Sequence, residues 1–253
     1  MLSQTPVLIL AGGLGTRLRP VLPGLPKGLA PVGDRPFLQI QIELLREQGA
    51  RHFVLCVGHL AGQIREAFGD GAALGVRIDY SVEGERLLGT GGALRLADRF
   101  FRPRALVLNG DTYLAADYER LVGAHREENT RSGALATLTV SRADDGSRFG
   151  TVLLDATGRY VAGFREKEAA PAGGAGWLNA GAYVVERAFL DHVAPDAPAS
   201  LERDVFPGVL RSGGRVAAAT CAEPFYDIGT PRDLQLFVAH YRQLRAGRGS
   251  RAA

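Results

Sequence analysis

The sequence predicts an α/β protein in which a mostly parallel central sheet with helices on both faces adjoins a smaller β-rich part. Three observations carry this. Apolar runs of strand length alternate with helical periodicity as far as Asp111. Those runs lack polar–apolar alternation, as strands buried on both faces do. After Asp111 the rhythm changes, and one strand-like segment follows another. With 253 residues, 46% of them hydrophobic, the chain can bury one substantial core, so a single domain is expected over 1–245, with halves of about 1–133 and 134–245.

In chain order, Val-Leu-Ile-Leu at 7–10 makes the first strand, and a helix over 36–48 follows with Phe37, Ile40, Leu44 and Leu45 on one face. The alternation continues with a strand at 53–57, a helix at 60–68, a strand at 76–80, a helix at 92–99 and a strand at 105–108. A helix between successive strands implies parallel pairing, because a parallel neighbour needs a long crossover. A helix at 118–128 then leads into strands at 134–140, 149–154, 160–165 and 178–185, and helical patterns at 201–210 and 231–244 finish the fold. The Ala-, Gly- and Pro-rich segment 168–176 reads as a mobile loop, and the small, charged tail 246–253 as disordered.

The net charge of +3 is scattered, and no basic stripe interleaved with aromatics suggests a nucleic-acid track. A small anionic ligand fits better. No apolar run approaches the roughly 20 residues of a membrane span, and 7–10 is too short for a signal peptide, so a cytoplasmic protein with no membrane partner is expected. Cys56 and Cys221 show no metal-ligand spacing and read as reduced, structural thiols. Only Lys27 and Lys167 among the 30 basic residues are lysines. A compact ammonium differs from a planar guanidinium in shape and hydration, so these two mark sites where a point charge is wanted.

The first strand runs into Ala11-Gly12-Gly13-Leu14-Gly15-Thr16-Arg17, where glycines let backbone amides approach a phosphate and an arginine supplies countercharge. Leu18 stands where a dinucleotide fingerprint needs a third glycine, Cys56-Val57-Gly58 stands where it needs an acid, and no Gly-Lys-Ser/Thr makes a Walker loop. A phosphate loop of another type remains. Pro26-Lys27 places an ammonium one short loop later. Asn109-Gly110-Asp111 ends a parallel strand, where ligands of open α/β sheets bind, and Asp227-Ile228-Gly229-Thr230-Pro231 offers a second carboxylate at an edge. A lone strand-end aspartate is as often a helix cap as a metal ligand, but two together would satisfy Mg²⁺. Phe164-Arg165-Glu166-Lys167 sets the other lysine beside a glutamate, and Asn179-Ala180-Gly181 follows.

Taken in order with Gly89-Thr90-Gly91-Gly92-Ala93 and Arg148-Phe149-Gly150, these motifs resemble the sugar-1-phosphate nucleotidyltransferase family over about 6–241, and within it the D-glycero-D-manno-heptose 1-phosphate guanylyltransferase group. The resemblance implies a Rossmann-like nucleotidyltransferase fold, with the first half binding the nucleotide and the second the sugar. Leu10, Ala11, Gly12, Gly13, Gly15, Thr16 and Arg17 would hold the triphosphate of an NTP, with Lys27 near its α-phosphate. Asp111 and Asp227 would hold Mg²⁺. Arg17, Lys27, Asp111, Lys167 and Asp227 would form the catalytic set. Asn109, Gly150, Glu166, Lys167 and Asn179 would hold the sugar 1-phosphate, and Gly89, Thr90 and Gly91 would lie near the base. A homodimer is compatible with this reading. The sequence departs from the family pattern at Gly28, which follows Lys27 in place of a second proline, and by one extra residue in Arg86-Leu87-Leu88, so the base reader is Glu83 or Glu85.

The implied reaction is attack of a sugar-1-phosphate oxygen on the α-phosphorus of the triphosphate. That nucleophile arrives ionised, in accord with the absence of a His, Ser or Cys catalytic constellation. A carboxylate can accept both N1–H and N2–H of guanine, a pattern that uracil lacks, which favours GTP over UTP. A UTP-dependent glucose or muramate 1-phosphate uridylyltransferase is the alternative within the family. A nucleotide-sugar glycosyltransferase usually carries Asp-x-Asp, whereas Thr112 and Tyr113 follow Asp111, and a non-catalytic nucleotide sensor has little use for both aspartates and both lysines.

Overall fold

The computed structural model describes residues 1–143, 151–165 and 176–249. The chain passes through β1 (Val7–Leu10), the hairpin β2 (Pro31–Val32) and β3 (Arg35–Pro36), α1 (Phe37–Glu47), β4 (His52–Val57), α2 (Ala61–Phe68), β5 (Arg77–Val82), α3 (Gly89–Leu96) and β6 (Arg104–Asn109). It continues through β7 (Thr112–Leu114), α4 (Tyr118–Ser132), β8 (Ala136–Ala143), β9 (Thr151–Leu154), β10 (Val161–Arg165), β11 (Gly176–Glu186), α5 (Phe206–Arg211), β12 (Val216–Cys221), β13 (Phe225–Asp227) and α6 (Pro231–Gly249).

The central strands lie in the order β5-β4-β1-β6, all parallel, and their C-terminal ends share one edge. The long β11 then pairs antiparallel with β6, β8 and β9, which makes the sheet mixed in the second half. The apolar runs are buried on both faces, as their lack of alternation requires. Val7 and Ile9 of β1 pack into one core with α1, α2 and α4, and Leu8 packs into the opposite core with α3 and α5. A third cluster, including Phe37, Tyr113, Ile228 and Phe237, fastens α6 to a small ribbon formed by β7 and β13. That ribbon matters for the site, because it brings the chain near 227 back beside the end of β6.

The structure departs from the sequence reading in its details. Helix α3 begins at Gly89, not at residue 92, so the glycine-rich turn is its first turn. Its start is imposed from outside: the Gly91 N–H donates to Ala199 O at 2.8 Å and the Leu201 N–H to Thr90 Oγ1 at 2.8 Å. Strand β12 was not anticipated, since Val-Ala-Ala-Ala-Thr-Cys has little β preference; it forms by parallel pairing of all its residues with 136–141 of β8. The described residues of the tail, 246–249, continue α6, since adding a residue to an existing helix costs far less than nucleating one. Residues 168–175 and 250–253, and the expected strand start at 149–150, lie outside the described residues.

Candidate active site

At the C-terminal edge of β1, β4 and β6 lies a cavity of about 310 Å³. Its wall carries Leu10, Ala11, Gly12, Gly13, Gly15, Thr16 and Arg17 from the loop after β1, together with Lys27, Asn109 and Asp111. Sequence motifs far apart in the chain therefore converge on one space. The wall is anchored where loop meets sheet: the Ala11 N–H donates to Cys56 O at 2.8 Å and the Gly110 N–H to Leu10 O at 2.9 Å.

The charges cluster at one end. Lys27 Nζ lies 2.6 Å from Asp111 Oδ2, on a single helical turn whose entry is set by Pro26 at φ −61°. In the β7–β13 ribbon Asp227 is opposite Thr112, and the Ile228 N–H donates to Asp111 O at 2.9 Å, so the two aspartates that the sequence could only list separately are neighbours. Asp227 accepts the Gly229 N–H. Burial raises the Asp227 carboxyl above its ordinary value and the charge of Asp111 raises it further, while Lys27, the Gly229 N–H and Arg17 oppose the rise. Two carboxylates sharing a site, with a lysine as countercharge, fit a hard divalent cation that completes its shell with phosphate and water. Among the described residues no cluster of three or more His, Cys, Asp or Glu side chains offers a fuller protein cage.

The rest of the wall is more apolar but for one carboxylate. Glu83, Leu87, Gly89, Thr90, Ala93 and Cys56 complete the wall. Glu83 is only 8% exposed, and its Oε1 accepts the Leu88 N–H at 2.7 Å. Burial raises its carboxyl above the ordinary value, against the effect of that hydrogen bond. Glu85 is exposed and off the wall, as is buried Gly91, whose N–H is spent on Ala199. Glu83 reaches the cavity through a slot between two glycines: a Cβ on Gly12 would lie 2.5 Å from its Oε2, and one on Gly58 2.4 Å from it. Cys56, read from sequence only as a strand thiol, faces this space, and burial followed by the charge of Glu83 pushes its pKa up to about 12. Its place near the C-terminal end of a parallel strand was the available signal.

Asn179 of β11, in the second half, is off the cavity wall and lies behind Asn109. Its Oδ1 accepts the Gly181 N–H at 3.0 Å and its Nδ2 donates to Tyr183 Oη at 2.8 Å. Tyr183 and Glu202, joined at 3.1 Å, were missed by sequence reasoning, since a tyrosine in an apolar strand and a glutamate in a helical pattern carry no motif. Gly150, Glu166 and Lys167 lie outside the described residues.

A phosphate-type glycine loop, an ammonium and paired carboxylates, gathered at the switch edge of a parallel sheet, define an α/β protein built to handle a nucleotide. The chain belongs to the Nucleotidyl transferase family, whose profile matches residues 6–243. It is 35% identical over 232 residues, 91% of this chain, to mannose-1-phosphate guanylyltransferase of Mycobacterium tuberculosis, and spans 62% of that protein's length. It is 33% identical over 231 residues to D-glycero-alpha-D-manno-heptose 1-phosphate guanylyltransferase of Campylobacter jejuni, and spans 97% of its length. The fold superimposes with a TM-score of 0.79 and 28% identity on the crystal structure of HddC from Yersinia pseudotuberculosis complexed with GMP-PN, covering 94% of this chain and all of that one.

Proposed function

We propose that this protein transfers a nucleoside monophosphate from a triphosphate, GTP in preference, to a heptose or hexose 1-phosphate, releasing pyrophosphate and forming a nucleotide sugar. The observation that carries the reading is one cavity whose wall holds the glycine loop, Lys27, Asp111 and a buried carboxylate, Glu83, with Asp227 beside Asp111.

In this reading Gly12 to Arg17 grip the triphosphate, and Lys27 and Arg17 offset charge that builds on the leaving pyrophosphate. Asp111 and Asp227 hold Mg²⁺, which when bound neutralises phosphate charge. Lys167, with Glu166, Asn109, Asn179 and the backbone of Gly150, holds the sugar phosphate, and its oxygen is aligned for in-line attack with no general base. Glu83 reads guanine by accepting N1–H and N2–H. Residues 1–133 and 134–245 act as nucleotide and sugar halves of one cytoplasmic domain, alone or as a homodimer.

The test is pyrophosphate release across GTP, UTP, CTP and dTTP, each with a panel of sugar 1-phosphates and Mg²⁺. Release with GTP and heptose or mannose 1-phosphate is expected. Preference for UTP in competition overturns the guanine reading, and no release with any pair overturns nucleotidyl transfer.

A further inference from the structure

Between the nucleotide cavity and β11 runs a chain of hydrogen bonds that neither the glycine loop nor the metal pair uses. Tyr183 is fully buried. Its hydroxyl accepts the Asn179 Nδ2–H at 2.8 Å and an N–H of the Asn109 side chain, and it meets Glu202 Oε1 at 3.1 Å. A phenol has one hydrogen and two lone pairs, an amide nitrogen only donates and a carboxylate only accepts. The assignment is therefore forced: Tyr183 donates to Glu202 and accepts from both asparagines. Burial, and next the charge of Glu202, hold the phenol well above its ordinary pKa, so it stays a donor at working pH.

Both amides are fixed by this hub. Asn179 turns its Oδ1 to the Gly181 N–H. Asn109, which lines the cavity, keeps its Oδ1 buried without a hydrogen-bond partner. An acceptor left so is costly, so the orientation of this amide has to be held by the bonds of its other end. Glu202 in turn reaches the nucleotide side, its Oε2 accepting Ser200 Oγ–H at 3.0 Å and facing Thr90 Oγ1 at 3.5 Å. The bulge between Asn179 and Tyr183, where the β11–β8 register shifts, is what lets the side chains of 179 and 183 meet.

We propose that Tyr183 and Glu202 are positioning residues that lock the Asn109 and Asn179 amides in one orientation, and through them the side of the cavity that takes the sugar phosphate. This rests on the nucleotidyl-transfer reading for its substrate, though not for its geometry. Tyr183→Phe should raise KM for the sugar 1-phosphate about tenfold, the loss of one buried hydrogen bond, while KM for GTP stays within about twofold, and Glu202→Ala should raise the sugar 1-phosphate KM as much. Glu202→Gln, which keeps a carbonyl acceptor for the phenol, should restore most of the affinity. A change in kcat and both KM values alike in Tyr183→Phe, or Glu202→Gln as poor as Glu202→Ala, overturns the proposal. The side-chain NH₂ resonances of Asn109 and Asn179 read the lock in ligand-free protein. They should shift in Tyr183→Phe, and unmoved resonances refute the lock even if the parent transfers to no sugar phosphate, an outcome that would sink the functional reading instead.

Discussion

Gly58→Ala puts the base-reading assignment at risk with one methyl group. The added Cβ would sit 2.4 Å from Glu83 Oε2, about 1 Å short of ordinary contact, and 3.0 Å and 3.2 Å from Leu87 Cδ2 and Gly12 O. The backbone oxygen cannot retreat, but the carboxylate, at the end of a flexible side chain, can. Glu83 is therefore expected to swing away and give up its 2.7 Å bond from the Leu88 N–H, leaving the fold intact. Losing a hydrogen bond to a charged group is worth about 1.5–3 kcal/mol, or roughly ten- to a hundredfold in kcat/KM for GTP. UTP, which does not need the carboxylate, should lose little. The assay is the GTP-to-UTP ratio of kcat/KM by pyrophosphate release, with the melting temperature as a control on folding. An unchanged ratio, with a crystal structure showing Glu83 displaced, would refute the idea that this carboxylate reads the base.

Three further outcomes are expected. Lys27→Arg, a change the rest of this arginine-rich chain would tolerate, should cut kcat about tenfold or more, because a planar guanidinium cannot occupy the place of an ammonium 2.6 Å from Asp111; near-parental turnover would show that any cation serves. Asp111→Asn should lower turnover about a hundredfold at saturating Mg²⁺, and activity close to the parent's would remove Asp111 from the metal pair. Because burial lifts Glu83 above its ordinary 4.5, the folded state holds that proton more tightly than the unfolded chain. Its contribution to stability is thus full below pH 4.5 and is lost as pH rises through the folded value. Scanning calorimetry should find Glu83→Gln melting above the parent at pH 7 but not at pH 4, and the reverse order would contradict the burial of a charged carboxylate.

What could be read from the sequence was whatever local physics decides. Val7 to Leu10 and Phe53 to Val57 are apolar without alternation, and a strand of that kind has no place but the middle of a covered sheet. Glycines 12, 13 and 15 after such a strand, and Asp111 after another, point to the C-terminal edge, where the structure opens a cavity. Even the scarcity of lysine pointed to Lys27, which the fold places against Asp111.

The tertiary structure alone decided which of these residues meet. The start of α3 depends on hydrogen bonds from the segment near 199–201, β12 exists because β8 offers it an edge, and Glu83 rather than Glu85 enters the cavity because Gly12 and Gly58 leave room for its carboxylate. Asp227 comes beside Asp111 through the β7–β13 ribbon that Phe237 and its neighbours press into place, and Tyr183 finds Glu202 only across the finished core. Residue type and short-range pattern set backbone preference within a turn or two. Pairings between distant segments follow from burying all the apolar faces at once, which no single stretch of the chain encodes.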